Sequence, residues 1–195
     1  MKKIPTLFLR DFDKPGHPVT DVVNPECAWV FDDPTNVTAR VKIDGTCMMR
    51  AEDGDWWARR EVKPGKKWPE GYRIIETDEV TGKTVCWEPA GQSPFAKFLT
   101  EALAAGDGGE PGTYELVGPK INGNPKRTNR HALISHDSHD AGMRSTAYVW
   151  ADLTGPAEVR WAVLAMGRDG HEGIVFTHTD GRRAKIKARD FPKES

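Results

Sequence analysis

Short runs of alternating apolar and polar residues shape the first third of the chain, and they predict strands more than helices. A first strand is expected over residues 4–9, followed by a Pro-, Gly- and Asp-rich loop over 10–25. A short strand at Ala28–Phe31 and a turn at Asp32–Asn36 come next. Val37-Thr38-Ala39-Arg40-Val41 alternates β-branched residues with others and reads as a strand. Thr46–Ala51 is expected to return as a hairpin arm, Asp53-Gly54-Asp55 to turn the chain, and Trp56–Glu61 to form the next strand. This pattern predicts an antiparallel meander and not a βαβ nucleotide fold.

Val62–Gly91 reads as a long loop, with Lys63-Pro64-Gly65-Lys66-Lys67 and Pro69-Glu70-Gly71 inside it. Irregular segments of that length are often functional. Its lysines suit phosphates, although a plain solvated loop is the commoner reading. Ser93–Ala105 is the clearest helix: Ser93 suits the N-cap, Pro94 the first helical position, and Gly106 the stop. Phe95, Phe98, Leu99, Ala102 and Leu103 form an apolar stripe that reads as core packing. Strands follow at Thr113–Val117 and His131–Ser135. A second helix is predicted from Pro156 to about Gly167, with Val159, Val163 and Met166 on one face and Thr154 as a cap. Gly173–Thr177 and Arg183–Ala188 read as a hairpin around Thr179-Asp180-Gly181. With no repeat and no obvious linker, the expectation is one α+β domain over residues 1–195.

Composition narrows the function classes. The 28 basic and 29 acidic residues balance, so there is no global nucleic-acid signature, though local patches can serve. Apolar content is modest at 37%, but seven Trp and seven Phe carry large area per residue. Cys27, Cys47 and Cys86 are widely spaced, form no zinc pattern, and suit a reducing compartment. The apolar run after Lys2-Lys3 is broken by Pro5 and stopped by Arg10-Asp11, too short for a secretory signal. No run approaches the ~18 apolar residues of a membrane span. A cytoplasmic protein is expected. His136-Asp137-Ser138-His139-Asp140 has a metal site's composition without a ligand spacing, and reads as a polar loop.

The chemistry centres on Lys42-Ile43-Asp44-Gly45-Thr46, at the end of the Val37–Val41 strand. Gly45 is expected to supply a tight turn and close backbone approach to a ligand. A lysine there is a candidate nucleophile once deprotonated. By itself the pentapeptide is usually a polar strand-to-turn junction. Three further pieces give it meaning by their order: Tyr114-Glu115-Leu116-Val117-Gly118-Pro119, Glu172-Gly173-Ile174-Val175-Phe176 and Ala184-Lys185-Ile186-Lys187. Spacing of i and i+2 puts Lys185 and Lys187 on one strand face.

This set resembles the covalent nucleotidyltransferases: ATP-dependent RNA ligases, DNA ligases and mRNA-capping guanylyltransferases. The four stretches match their motifs I, III, IV and V, and the likeness spans roughly residues 35–192. It is strongest to single-domain RNA ligases related to the vertebrate 5′–3′ RNA ligase. Cys47 stands where DNA ligases and capping enzymes usually carry arginine, and with eight residues after Lys187 no C-terminal OB domain is expected. The resemblance implies an adenylation domain of antiparallel sheets with a few flanking helices. It implies ATP and Mg²⁺ (or Mn²⁺) as cofactors, and single-stranded or nicked RNA ends as substrates, with end-healing enzymes as possible partners.

By the resemblance, Lys42 attacks the α-phosphorus of ATP. AMP then passes to an RNA 5′-phosphate, and a 3′-hydroxyl displaces it. Lys185 and Lys187 would hold the α-phosphate. Asp44 and Glu172 would bind or orient the metal. Glu115 would contact the ribose, and Val41, Ile43 and Gly45 would line the nucleotide. Arg60 is implied at the ribose or the RNA 5′-phosphate, with Arg59 as the competing choice. A side chain from 131–135 would pack on the adenine. Cys47, Lys120, Lys126, Arg127 and Arg130 are candidate RNA contacts. The alternatives are a capping-type guanylyltransferase or DNA ligase, and a non-catalytic nucleotide- or RNA-binding module.

Overall fold

A computed structural model describes residues 2–79, 81–136 and 154–192. In chain order the elements are β1 (Phe8–Arg10), β2 (Val19–Val23), α1 (Trp29–Asp32), β3 (Val37–Lys42), β4 (Thr46–Arg50), β5 (Trp56–Val62), β6 (Arg73–Thr77), β7 (Thr84–Pro89), α2 (Ala96–Ala104), β8 (Gly112–Val117), β9 (Ala132–Ser135), α3 (Pro156–Arg168), β10 (Gly173–His178) and β11 (Arg183–Lys187). Antiparallel sheets with few helices make this an α+β chain. It packs as two compact units, one of Met1–Lys3 and Asp44–Ser145, the other of Ile4–Ile43 and Thr146–Ser195. The division falls inside the lysine turn, between Ile43 and Asp44.

In the unit that contains Lys42, β10 lies between β3 and β11. Ile174 faces Val41 and Ile186, and Phe176 faces Ala39 and Ala184. These pairs build one apolar sheet face, since side chains alternate along each strand. The helix α3 packs against β10 and β11 with Val159, Val163 and Met166 fully buried. Each fully buried aliphatic side chain of this kind contributes about 1.5–3 kcal/mol. The predicted stripe of α3 is therefore its core face, but Thr154 is not its cap. Gly155 holds the N-cap position with no side-chain hydrogen bond, and Pro156 begins the helix.

The other unit holds a six-stranded antiparallel sheet in the order β6-β7-β5-β4-β8-β9. Met48, Ala58 and Leu116 line one face and form a core with Ala90, Leu99, Ala102 and Ile121. Phe95, Phe98, Leu103 and Leu133 pack against that core, so the α2 stripe is core as expected. The helix starts later than predicted: the Ser93 hydroxyl accepts from Phe95 N in the preceding turn, and Ala96 opens the helix.

Four predicted features come out differently. Ala28–Phe31 lies on a helix: Asn24 caps a 3-10 turn at Pro25–Cys27, and the chain continues helically into α1. A short apolar run carries no period that separates the two states. β2 forms inside the expected 10–25 loop by pairing with β1. β6 and β7 form inside the expected 62–91 loop, and β7 is buried along nearly its whole length. A strand buried on both faces shows no alternation to read. Finally, β3 and β4 are not a hairpin: β3 pairs with β10, whereas β4 pairs with β5 and β8. Of the stretch His136–Asp140, residues 137–140 lie outside the described residues.

Leu99 is 5% exposed within the α2 core. Leu99→Ala is expected to cost about 2–5 kcal/mol by leaving a cavity. The shift in the urea-unfolding midpoint at unchanged slope measures it.

Candidate functional site

Strand parity decides what Lys42 shares a face with. Across the three-stranded sheet, Gly173 stands between Lys42 and Lys187, and Val175 between Arg40 and Lys185. Thr177 faces Arg183 on β11 in the same way. The face opposite α3 therefore carries Arg40, Lys42, Arg183, Lys185 and Lys187, all of intermediate exposure. Like charges on neighbouring strands repel unless an anion intervenes.

Glu172 is that anion. It immediately precedes β10, and its side chain is only 6% exposed. Lys42 Nζ donates to its Oε2 at 2.6 Å, and Lys187 Nζ lies 2.5 Å from its Oε1. Arg189 NH2 reaches Oε1 at 3.4 Å. Burial pushes the Glu172 carboxyl up, but the hydrogen bonds and charges of Lys187 and Lys42 outweigh burial and hold it below the ordinary carboxylate range. Gly173 makes the arrangement possible. Its φ of +154° disfavours any L side chain, and a Cβ there would lie 2.1 Å from Ile186 O.

The other unit organises the rest of the turn. Asn122 Nδ2 donates to Asp44 Oδ1 at 2.9 Å and to Gly45 O at 2.8 Å. Gly45 N donates to Glu115 Oε1 at 3.1 Å, and His136 Nε2 meets Glu115 Oε2 at 3.1 Å. His136 Nδ1 is in turn 2.9 Å from Thr113 Oγ1. Gly45 has no positive φ, so its expected conformational role is replaced by a steric one. A Cβ on it would sit 2.4 Å from Leu116 O and 2.8 Å from Glu115 Cγ, against the chain's own strand β8.

Register also separates the two arginines. Met48 faces Ala58 on the core side of the sheet, and Cys47 faces Glu115 on the opposite side. Arg59, adjacent to Ala58, takes the face of Cys47 and Glu115. Arg60 points to the other face, where NH1 lies 2.7 Å from Glu88 Oε2, a carboxylate in a residue only 2% exposed. Val41 and Ile43 are buried at 7% and 6% exposure, and Val41 sits on the apolar face rather than beside Lys42.

The candidate RNA contacts differ in what holds them. Arg130 grips Asp107 through two bonds of 2.8 and 3.2 Å. Lys120 and Arg127 are exposed, and burial pushes the half-buried Lys126 amine down. In the 131–135 segment, His131 stacks on Phe98 at 4.4 Å and bonds Glu101 Oε2 at 2.6 Å. Cys27, Cys47 and Cys86 are free thiols, with Cys27 pushed up to about 11 by burial.

The two carboxylates expected at a metal belong to separate units, and both oxygens of Glu172 face cationic donors. Among the described residues no group of three or more His, Cys, Asp or Glu is placed to hold a metal ion. No helix among them is long and apolar enough to cross a membrane. No protein-family model matches the chain, and no curated protein matches it.

Arg40, Arg183, Arg189 and Asn122 are not site candidates from sequence, and His136 reads there only as part of a polar loop. Arg40 had a readable signal, since it lies two residues before Lys42 on a strand. Asn122 and His136 had none, because their partners are 77–78 and 21 residues away.

Two stability outcomes follow from these ion pairs. Folding lowers the Glu172 carboxyl, so its contribution is full above the ordinary carboxylate range and is lost as pH falls through the lowered folded value. Glu172→Gln is expected to cost about 1–3 kcal/mol at neutral pH. Its unfolding midpoint should converge on wild type as the medium is acidified below the carboxylate range. Arg60→Ala strands the buried Glu88 and should cost about 1–3 kcal/mol, whereas Arg59→Ala should cost less. Parallel urea titrations of the two arginine variants check the assignment.

Proposed function

We propose that this chain is an ATP-dependent RNA ligase of the nucleotidyltransferase kind, working through a lysyl-AMP intermediate on Lys42. The observation that carries the reading is the cationic sheet face on which Lys42 and Lys187 converge on Glu172. Two lysines on one carboxylate leave excess positive charge, which favours binding of a polyanion such as a nucleoside triphosphate. The four-motif resemblance supplies the identity of that anion.

The chemistry begins with a neutral amine, because an ion-paired ammonium has no lone pair. Lys42, 2.6 Å from Glu172, has to leave that ion pair and release its proton to solvent before it attacks. An N–P bond forms at the α-phosphorus as the P–O bond to pyrophosphate breaks. An RNA 5′-phosphate oxygen then displaces Lys42, forming an adenylylated end. A 3′-hydroxyl attacks that end, and AMP leaves. Lys185 and Lys187 stabilise charge on the transferred phosphate, while Glu115 orients the ribose and Arg59 replaces Arg60 as its companion. Mg²⁺ or Mn²⁺ would screen charge on the nucleotide phosphates. A cytoplasmic setting suits the free thiols.

Incubation with α-³²P-ATP and Mg²⁺ or Mn²⁺, followed by a denaturing gel, tests this. Wild type is expected to carry an acid-labile label and Lys42→Ala none. Lys187→Ala should label roughly 100-fold more slowly. Label from GTP alone would point to a capping-type transferase. No label from folded protein freed of bound AMP would favour a non-catalytic binding module.

A further inference from the structure

The segment from Lys63 to Arg73 lies outside the chemistry above, yet its surface is unusual. Trp68 and Tyr72 stack with ring centroids 4.6 Å apart and planes 30° from parallel. They are nevertheless 37% and 39% exposed, with Ile74 beside them in sequence at 61%. A stacked pair covers one face of each ring and leaves the outer faces available. Lys66 and Lys67 directly precede Trp68, and Lys63 opens the segment; all three are exposed. None of the three ammonium groups has an acidic partner among the described residues. Glu70 is the segment's lone acid against Lys63, Lys66, Lys67 and Arg73.

The platform is held in place. Gln92 clamps Glu70 from both sides, accepting from Glu70 N at 3.2 Å and donating to Glu70 O at 3.0 Å. Arg73 lies 3.9 Å from the centroid of the buried Trp57 ring, and Gly71 turns the chain at φ +64°. An ordered aromatic pair loses little entropy when a planar ligand stacks on it.

We infer that Trp68 and Tyr72, with Lys63, Lys66 and Lys67, form a docking platform for a single-stranded polynucleotide. One nucleobase stacks on the outer face of the aromatic pair, and flanking phosphates meet the lysines. Exposed aromatic rings beside uncompensated ammonium groups match the alternation of base and phosphate along a strand. The platform lies within one unit and does not rest on the reading of Lys42 as a nucleophile.

The test is fluorescence anisotropy with labelled 12-mers of U, dT and mixed sequence, using the full chain without nucleotide across a salt series. Trp68→Ala is expected to weaken binding roughly ten-fold, and Trp68→Phe to restore it. Lys66→Glu/Lys67→Glu should weaken binding and shallow the salt slope by about 1.4, at ~0.7 per phosphate on single strands. Tighter binding of U than dT assigns the platform to RNA; equal binding assigns it to either strand chemistry. Binding by Trp68→Ala and the double lysine variant equal to wild type, at unchanged salt slope, overturns the inference. So does wild-type protein that binds none of the oligomers. Labelling on Lys42 is measured separately, so either idea can fail while the other stands.

Discussion

The ion pairs of Glu172 with Lys42 and Lys187 govern what the sheet around them can be. Three antiparallel strands bring Arg40, Lys42, Arg183, Lys185 and Lys187 to one face. Without a shared anion such a face would repel itself. A single carboxylate, 6% exposed and held below the ordinary range, satisfies two of these cations at once. The two lysines outnumber the one carboxylate they share.

Two glycines permit close approaches that a larger residue would prevent. Gly173 stands directly between the two lysines, where a Cβ would strike the β11 backbone. Gly45 lies against β8, so that its N–H reaches Glu115. In both cases a missing side chain fixes where a carboxylate sits. Asn122 and His136 then hold the turn and Glu115 from outside the motifs themselves. These groups act by position, the same property on which in-line transfer at phosphorus depends.

The stretch Lys42–Thr46 is shared between the two compact units, with Lys42 ending a strand of one and Thr46 opening a strand of the other. That explains why neighbouring strands in the sequence are not partners in a sheet. Each finds its partners among distant segments, β3 with β10 and β4 with β5 and β8. Alternation within a strand specifies which face is buried but carries no address for its neighbour.

By itself the sequence determined the α+β class, the core stripes of α2 and α3, the β10–β11 hairpin and the common face of Lys185 and Lys187. All of these are local periodicities, legible within a few residues. It also brought the four charged motifs into one functional expectation through their order. Only the tertiary structure decided that β7 is a buried strand, that Ala28–Phe31 joins a helix, and that β3 and β4 part company. It alone turned Arg60 toward Glu88 and set Arg59 on the face of Glu115. It alone converged Lys42, Lys187 and Arg189 on Glu172. These outcomes depend on pairings across 130 residues of chain and more, where burial and charge compensation among distant segments choose the partner.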